Sequence, residues 1–416
     1  MRQGLVVLMI LGLLLLIILP ACGGGEEKTT IPILTSTPTF TQTSGSTPTV
    51  ISTPTATPTL TPAEPIKIGL IAPWSGPSAM SGLALIDPLI KLVEKQLKDQ
   101  GGILGGSEVK FIKYDNRSSV AEAAAGATKL ILEDKVSAIL YGGLLSPERQ
   151  ATASITDKNN TLLVMVSGSI AEVSMWKYVV NATTTSDDHA AMLGILAKDV
   201  LKAKKVAIMA TDVESMRSIV DMLKPVLKAA GIDIVYEEYC SQLTIDWSPY
   251  LTKIKYLQPD VLISDLAAPE NTIALAKQIT ELGGLGDTKV VCGPGGDSAA
   301  KQPGADGWYI LALWISGLEK LYPGAATYLD DYQAMYGREP LPSHIYFYNP
   351  MWTAIKAIEL AGTSDPVKVA EAARSGKLEW DTPIGHAIFT TDGQSGLRFN
   401  VGHVEEGKIV PFTVPE

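Results

Sequence analysis

The sequence is poor in the residues on which many functional classes depend. Its 416 residues include only three cysteines, too few for a disulfide-rich scaffold. Histidine is also scarce, with four residues. The formal net charge is -10, and the lysines and arginines form no dense basic cluster, which argues against nucleic acid as a partner. Hydrophobic residues make up 46% of the chain, so there is ample material for a large buried core.

Familiar catalytic and cofactor motifs are also missing. The four histidines, His189, His344, His386 and His403, show no metal-ligand spacing. Gly293–Asp297 is rich in glycine but lacks the Gly-Lys-Ser/Thr of a phosphate-binding loop. Neither a Gly-x-Ser-x-Gly nor a Gly-x-Gly-x-x-Gly motif occurs. We therefore expect no metal, no cofactor and no enzymatic activity.

The amino terminus has the layout of a secretory signal peptide. Arg2 is followed by an almost wholly apolar stretch, Leu5–Leu19, which is shorter than the roughly 20 residues needed to span a bilayer. Cys22 ends the run Leu-Pro-Ala-Cys, which resembles the lipobox of bacterial lipoproteins, with proline at a position where it is less common. That resemblance implies a diacylglycerol on the Cys22 sulfur. We predict a lipoprotein signal peptide over residues 1–22; the alternative is an uncleaved anchor with an incidental cysteine.

A tether is predicted between this cysteine and the folded part of the chain. Residues 23–65 begin with three glycines and continue as short Thr-Pro units, with too little apolar surface to offset the entropy of ordering. Repeated proline favours an extended chain of about 3.1 Å per residue. We expect an inert spacer that holds the folded part outside the cytoplasm, near the membrane to which it is anchored. The composition also permits glycosylation.

From Ile66 onward, short runs rich in β-branched residues alternate with longer amphipathic stretches. The alternation occurs in two successive series, which indicates βαβ units and mostly parallel sheets. The first series predicts strands at Ile66–Ala72, Val109–Tyr114, Ala138–Leu140, Leu162–Val166 and Tyr178–Val180. The second predicts strands at Val206–Ala210, Ile232–Tyr236, Val261–Asp265, Val290–Cys292 and Gly307–Ile310. We therefore predict an α/β fold of two doubly wound lobes with an antiparallel ending.

This strand order makes a prediction about the two remaining cysteines. Cys240 and Cys292 fall near the second and fourth strands of one doubly wound sheet, which places them roughly 14 Å apart. A disulfide requires Cα atoms within about 7 Å of each other. We expect two free thiols.

Three strand ends in the first lobe carry small and hydroxyl-bearing residues, at the edge where ligands bind in such sheets. The first strand runs into Trp74-Ser75, the third into Leu144-Leu145-Ser146, and the fourth into Ser167-Gly168-Ser169. Backbone N–H groups that precede a helix bind carboxylates and phosphates. Each loop can also be a simple helix cap with a turn, but their repetition at successive strand ends favours a ligand site.

Several motifs resemble those of the type I periplasmic binding proteins, and in particular the branched-chain amino acid (Leu/Ile/Val) binding proteins of ATP-binding cassette importers. They cover nearly all of the chain from Ile66 to Glu416. The matching segments are Ile66–Pro77, Gly101–Gly106, Tyr114–Asn116, Gly231-Ile232, Pro259–Ile263, Thr382–Gly385 and Asp392–Gln394.

The resemblance implies a bilobed protein that closes on a small solute through a hinge of three crossovers. By this resemblance the first lobe comprises Ile66–Ser186 with Ala312–Asp365, and the second comprises Asp187–Leu311 with Pro366–Glu416. It also implies that the three first-lobe loops hold the amino and carboxylate groups of the ligand. The residues at those positions are Trp74, Ser75, Leu144, Leu145, Ser146, Ser167, Gly168 and Ser169.

The second lobe of that family adds an aromatic residue and an acid. The chain lacks the usual Tyr-Gly at Thr211–Ser215, and the acid position falls near Asp265. Asp212 and Asp265 are candidate partners for an ammonium or hydroxyl group, although Asp212 is at least as well suited to cap a helix. No Arg or Lys stands at the loop positions, so a dicarboxylate or phosphate would lack a counter-charge. We expect a ligand with one carboxylate or amide and an apolar body, to which Trp74 offers its face unless it packs under its own loop.

Two functions from different classes remain open at this point. The leading hypothesis is a solute-binding lipoprotein that delivers its ligand to the permease of an importer. The alternative is a receptor that senses a small molecule and signals to a membrane partner, because one fold serves both functions. An enzyme is the third option, and no catalytic constellation supports it.

Overall fold

The computed structural model describes residues 64–76, 78–143, 146–266 and 268–414. The predicted signal peptide, Cys22 and nearly all of the tether lie outside these residues. The described chain begins with a sheet of five parallel strands in the order β2-β1-β3-β4-β5. Its strands are β1 (Ile66–Ala72), β2 (Val109–Asp115), β3 (Ala138–Tyr141), β4 (Leu162–Met165) and β5 (Val179–Asn181).

A second sheet follows, with the order β14-β13-β10-β9-β8-β6-β7. Its parallel strands are β6 (Lys205–Thr211), β7 (Asp233–Cys240), β8 (Val261–Asp265), β9 (Lys289–Cys292) and β10 (Tyr309–Ala312). A separate antiparallel hairpin is formed by β11 (Glu379–Thr382) and β12 (Gly385–Ile388). The strands β13 (Asn400–Glu405) and β14 (Lys408–Phe412) then add the antiparallel edge of the second sheet.

Helices separate the parallel strands, as the alternating pattern predicts. Several begin at a side-chain cap: Ser119, Ser169 and Thr185 each accept a hydrogen bond from a backbone N–H of the first turn. The helices are α1 (Asp87–Asp99), α2 (Val120–Leu132), α3 (Ser146–Lys158), α4 (Ile170–Ser174), α5 (Ser186–Ile195), α6 (Glu214–Ala229), α7 (Ser248–Leu257), α8 (Pro269–Glu281), α9 (Pro323–Tyr336), α10 (Ile345–Ala361) and α11 (Pro366–Ala373).

The central strands are buried on both faces. Every residue of β3, β4 and β8 is buried, as expected for parallel strands covered by helices on both sides. The two doubly wound parallel sheets confirm the predicted fold class. Within the described ranges, no helix is long and apolar enough to cross a membrane.

The carboxyl-terminal third returns to the first sheet before it joins the second. Helix α10 packs on β3 and β4, and α11 packs on α10 and the same two strands. Asn181, at the end of β5, forms a parallel bridge with Gln394. The segment predicted to enter the second lobe at Pro366 therefore contacts the first sheet until about Gln394 and reaches the second sheet only at Asn400.

The two cysteines in the second sheet are free and buried. Cys240 ends β7 and Cys292 ends β9, with β6 and β8 between them. This is the separation that the predicted strand order requires, and the prediction of free thiols is confirmed. Burial raises the pKa of both thiols, which makes them unreactive at neutral pH.

Candidate ligand-binding site

The loops that follow β1, β3 and β4 lie side by side, because these strands are neighbours in the sheet. We call them the first edge. They carry the predicted residues Trp74, Ser75, Ser146 and Ser167–Ser169. Leu144 and Leu145, which were also predicted, lie outside the described residues.

The loop after β1 is held by hydrogen bonds to α1 and to the end of β2. The Trp74 indole N–H donates to Asp87 Oδ1 at 2.8 Å, and the Ser75 hydroxyl donates to Asp115 Oδ2 at 2.6 Å. Burial acts to raise the pKa of Asp115, but the bonds from the Ser75 hydroxyl and from the backbone N–H groups of Arg117, Trp74 and Ser75 outweigh it and lower the pKa. The Trp74 side chain is thus held against the start of α1, and the Ser75 hydroxyl hydrogen already bonds Asp115.

The loops after β3 and β4 meet at Arg149, in the first turn of α3. Its Nη2 donates to Ser146 Oγ at 2.8 Å and its Nη1 to Ser167 Oγ at 3.4 Å. The same guanidinium pairs with Glu172, with Nη2 3.0 Å from Oε2. Ser169 caps α4 and accepts from the backbone N–H of Glu172. Three predicted serines therefore surround one ion pair.

The loop positions themselves carry no cation, as expected, but the helix that follows the loop after β3 places one beside them. Arg149 is not a loop residue, but a helical side chain leans toward the amino terminus of its helix. Arg149 thus reaches back over Ser146, three positions earlier. The Ser-x-x-Arg spacing was the available signal in the sequence.

A buried hydrogen-bond network centred on Glu148 holds the same loops in place. Glu148 accepts from the Tyr141 hydroxyl at 2.5 Å and from Asn116 Nδ2 at 2.8 Å. Burial, followed by the bond to Glu148, raises the pKa of Tyr141. Glu148 and Asn116 are buried, so this network orders the loops and is not available to a ligand.

The ends of β6, β8 and β9 and the loops that follow them form the second edge, where the two predicted acids lie in different environments. Asp212 is exposed and accepts from Arg217 Nε at 2.7 Å. This bond lowers the pKa of Asp212. The residue does not cap α6, whose N-cap is Val213 and makes no side-chain cap bond.

Asp265 is the opposite case, with only 1% of its surface exposed. Its Oδ2 lies 3.4 Å from Nε2 of His189, and neither atom has a hydrogen-bond partner among the described residues. Burial raises the pKa of Asp265, and the nearby His189 opposes the rise. A Cβ added at Gly293 would overlap Oδ1 of Asp265, so glycine is required there.

Two further acids at the start of α5 bond to segments beside the crossovers, and no sequence motif marks them as site residues. Asp187 Oδ2 accepts from the backbone N–H of Ile170, and Asp188 Oδ2 from that of Phe399, both at 2.8 Å. Burial raises the pKa of Asp188 to about 6, although the Phe399 N–H and Arg398 act against the rise. A pocket of about 340 Å³ lies between these segments.

No group of three or more His, Cys, Asp or Glu residues able to hold a metal ion occurs in the described part of the chain. The side chains at both edges are instead donors and acceptors suited to a small organic solute.

Comparisons with known proteins agree with this architecture. A family model described as periplasmic binding protein matches residues 65–408. The chain is similar to an amino acid binding protein of Pseudomonas aeruginosa, with 24% identity over 76% of this chain and 86% of that one. It is also similar to a leucine-, isoleucine-, valine-, threonine- and alanine-binding protein of the same organism, with 24% identity over 80% and 87% of the two chains.

Solved structures show the same fold. An ABC transporter substrate-binding protein from Sphaerobacter thermophilus superposes with a TM-score of 0.73 at 20% identity, covering 84% of this chain and 97% of that one. A leucine binding protein from Thermotoga maritima gives a TM-score of 0.68 at 21% identity over 84% and 98% of the two chains. A Rhodopseudomonas palustris solute binding protein in complex with benzoate gives 0.68 at 19% identity over 84% and 96%.

Proposed function

Because this chain belongs to the periplasmic binding protein family of solute-binding proteins, we propose that it captures a small solute between its two edges and delivers it to the permease of an ATP-binding cassette importer. The solute carries one carboxylate or amide and an apolar body. Relatives named for amino acid binding and a structural neighbour that binds benzoate support this class of ligand. The single observation that carries the proposal is the group of serines around Arg149 at the first edge.

The charges at the two edges limit the ligand to one negative group. Arg149 is already paired with Glu172, so the first edge offers hydroxyl and N–H dipoles and little net charge. The second edge adds the carboxylate of Asp265. A second negative charge on the ligand would therefore lie in a closed cleft without a counter-charge, which is costly. A branched-chain amino acid, a close relative or an aromatic acid meets this condition, whereas a dicarboxylate or sugar phosphate does not.

Ligand binding is proposed to close the two lobes as rigid bodies about the crossovers. The fold supports this, since the chain passes between the sheets at the segments before α5, after β10 and before β13. A saturating ligand should lower the radius of gyration in solution scattering. Identical scattering curves with and without a ligand of confirmed affinity would rule out closure.

The protein is proposed to act outside the cytoplasm, anchored to the membrane by an acylated Cys22. The layout of residues 1–22 and the extended composition of residues 23–65 support this. Cys22→Ser should release the protein from washed membranes and leave its ligand affinity unchanged, because the tether separates the anchor from the folded part. Full retention of this variant on membranes would contradict the anchor.

The ligand class is tested first by thermal shift of the purified protein against amino acids and aromatic acids. A bound ligand at a hundredfold excess over its Kd stabilises the fold by about 2.7 kcal/mol. The proposed ligand class fails if no amino acid or aromatic acid raises the Tm while a dicarboxylate or sugar phosphate does. Uptake of the bound ligand is then measured in cells that carry the permease. Uptake that depends on this protein supports delivery, and its absence favours sensing.

A further inference from the structure

The hydrogen bonds of Arg149 fix the roles of two serine oxygens. A guanidinium has five N–H donors and no acceptor. Ser146 Oγ and Ser167 Oγ must therefore be the acceptors in their bonds to Nη2 and Nη1. Arg149 is 4% exposed and is held by the Glu172 carboxylate, so this arrangement is fixed before any ligand arrives.

Each serine hydroxyl then keeps one hydrogen to donate. Within the described residues, neither the Ser146 nor the Ser167 hydroxyl donates to a protein acceptor. Both side chains are partly exposed at the first edge. The two hydrogens cannot point at the guanidinium and are left directed away from it. Ser75 differs, because its hydrogen is spent on Asp115.

We propose that Arg149 is a positioning residue that turns the hydroxyls of Ser146 and Ser167 into paired donors and so selects a carboxylate over the corresponding amide. This inference rests on the proposed function and narrows its ligand class. A hydroxyl whose oxygen accepts from a cation is a stronger donor. Arg149 acts through the serines, because its Nε and Nη2 also donate to the Glu172 carboxylate.

The chemistry of the two groups explains the selection. A carboxylate presents two acceptor oxygens, one to each hydroxyl. A primary amide presents one oxygen and an NH₂ group, and the NH₂ would meet an O–H hydrogen head-on. One hydrogen bond is lost and one repulsive contact is gained. We expect a preference for the acid of about 100-fold, at about tenfold for each of the two effects.

Calorimetry on the full chain in detergent tests the selection with two acid–amide pairs, L-leucine with L-leucinamide and benzoate with benzamide. The double variant Arg149→Met/Glu172→Gln removes both charges, so that neither is left unpaired. It should reduce the acid-to-amide ratio of affinities from about 100-fold to about fivefold or less. Arg149→Lys keeps the positive charge but loses the planar set of N–H donors that reaches both serines. It should give an intermediate acid-to-amide ratio of affinities.

A matched control is the exposed pair Lys95–Asp99 on α1. Lys95→Met/Asp99→Asn removes an ion pair that touches neither serine, and it should leave the ratio unchanged. A purely structural role for Arg149 predicts a lower Tm with an unchanged ratio, and that result would overturn the inference while leaving the proposed function intact.

Neutron diffraction of the ligand-free protein tests the same inference without any ligand. The hydroxyl hydrogens of Ser146 and Ser167 should point away from Arg149, toward solvent. A hydrogen found between either serine oxygen and a protein acceptor would refute the inference. If no acid in the panel binds the wild type, the proposed ligand class fails, and the neutron map still decides how Arg149 orients the serines.

Discussion

The two edges are built from the same kind of strand-end loop but carry different chemistry. At the first edge, the charges of Arg149 and Glu172 cancel each other, and the serines around them supply dipoles. At the second edge, Asp212 pairs with Arg217 in solvent, whereas Asp265 is buried beside His189. The first edge is therefore suited to hold the negative end of a ligand, whereas the second is suited to receive a neutral or positive group.

A comparison within the second edge shows that neighbours decide the state of an acid. Ala210 pairs with Asp265 in register, so Asp265 ends β8 beside β6, the strand that Asp212 follows. Yet Asp212 is exposed and has a lowered pKa because Arg217 donates to it, while burial raises the pKa of Asp265. Two acids at similar positions in the sequence pattern thus have opposite electrostatic character.

The largest effect is expected from breaking the balance at the first edge. Arg149→Met leaves the Glu172 carboxylate, whose side chain is 13% exposed, without its counter-charge. We expect a loss of about 3–5 kcal/mol in the free energy of unfolding, measured by urea denaturation. Arg149→Met/Glu172→Met should recover most of this loss, because both charges are then gone. A single variant as stable as the wild type would show that the pair is not buried as described.

The next effect sharpens the description of the second edge. Gly293→Ala places a Cβ on Oδ1 of Asp265 and should destabilise the fold by about 1–3 kcal/mol. In an Asp265→Ala background the overlapping carboxylate is absent, so the same substitution should cost much less. An equal loss of stability in the two backgrounds would show that the cost of Gly293→Ala does not come from contact with Asp265.

A smaller effect is expected at the crossovers, from Asp188. Its pKa of about 6 lies above the usual value near 3.9, so the ionised form is disfavoured in the folded state. The wild type should therefore lose stability as the pH rises from about 4 to 6, and Asp188→Asn should not. The variant should exceed the wild type by about 1–2 kcal/mol at pH 7, and the difference should vanish near pH 4. A difference that does not change with pH would contradict this assignment.

The smallest effect is expected from Asp212. Its ion pair with Arg217 is exposed, with 49% and 48% of the two side chains accessible, and such pairs contribute little. Asp212→Asn should leave the Tm unchanged, whereas Asp265→Asn should raise it at pH 7 by removing a buried charge. Thermal scans of the two variants in parallel test this. Equal changes in Tm would contradict the difference described between the two acids.

The sequence predicted the fold well because strand and helix periods are local properties. A strand buried on both faces needs apolar residues throughout, and β8 accordingly has a continuous apolar run before Ser264. Capping residues such as Ser119 mark the starts of helices. The serines at the first edge were found for the same reason, since strand ends meet at one edge of a parallel sheet.

The details that decide the chemistry depend on tertiary packing and could not be predicted in the same way. His189 meets Asp265 from another element, and Asp115 captures the Ser75 hydroxyl from a neighbouring strand. The third crossover was placed too early because α11 has an ordinary amphipathic pattern. Nothing in that pattern shows which sheet it covers, and it packs on β3 and β4.

The central claim is that the first edge holds the ligand carboxylate through the hydroxyls of Ser146 and Ser167. Calorimetry of the wild type and of Ser146→Ala/Ser167→Ala, with L-leucine, benzoate and succinate, tests it most directly. Ser169 is left intact because it caps α4. We predict micromolar or tighter binding of a monocarboxylate, weakened about 100-fold in the double variant, and no binding of succinate. Tight binding of succinate, or of a monocarboxylate with equal affinity for both proteins, would contradict the account.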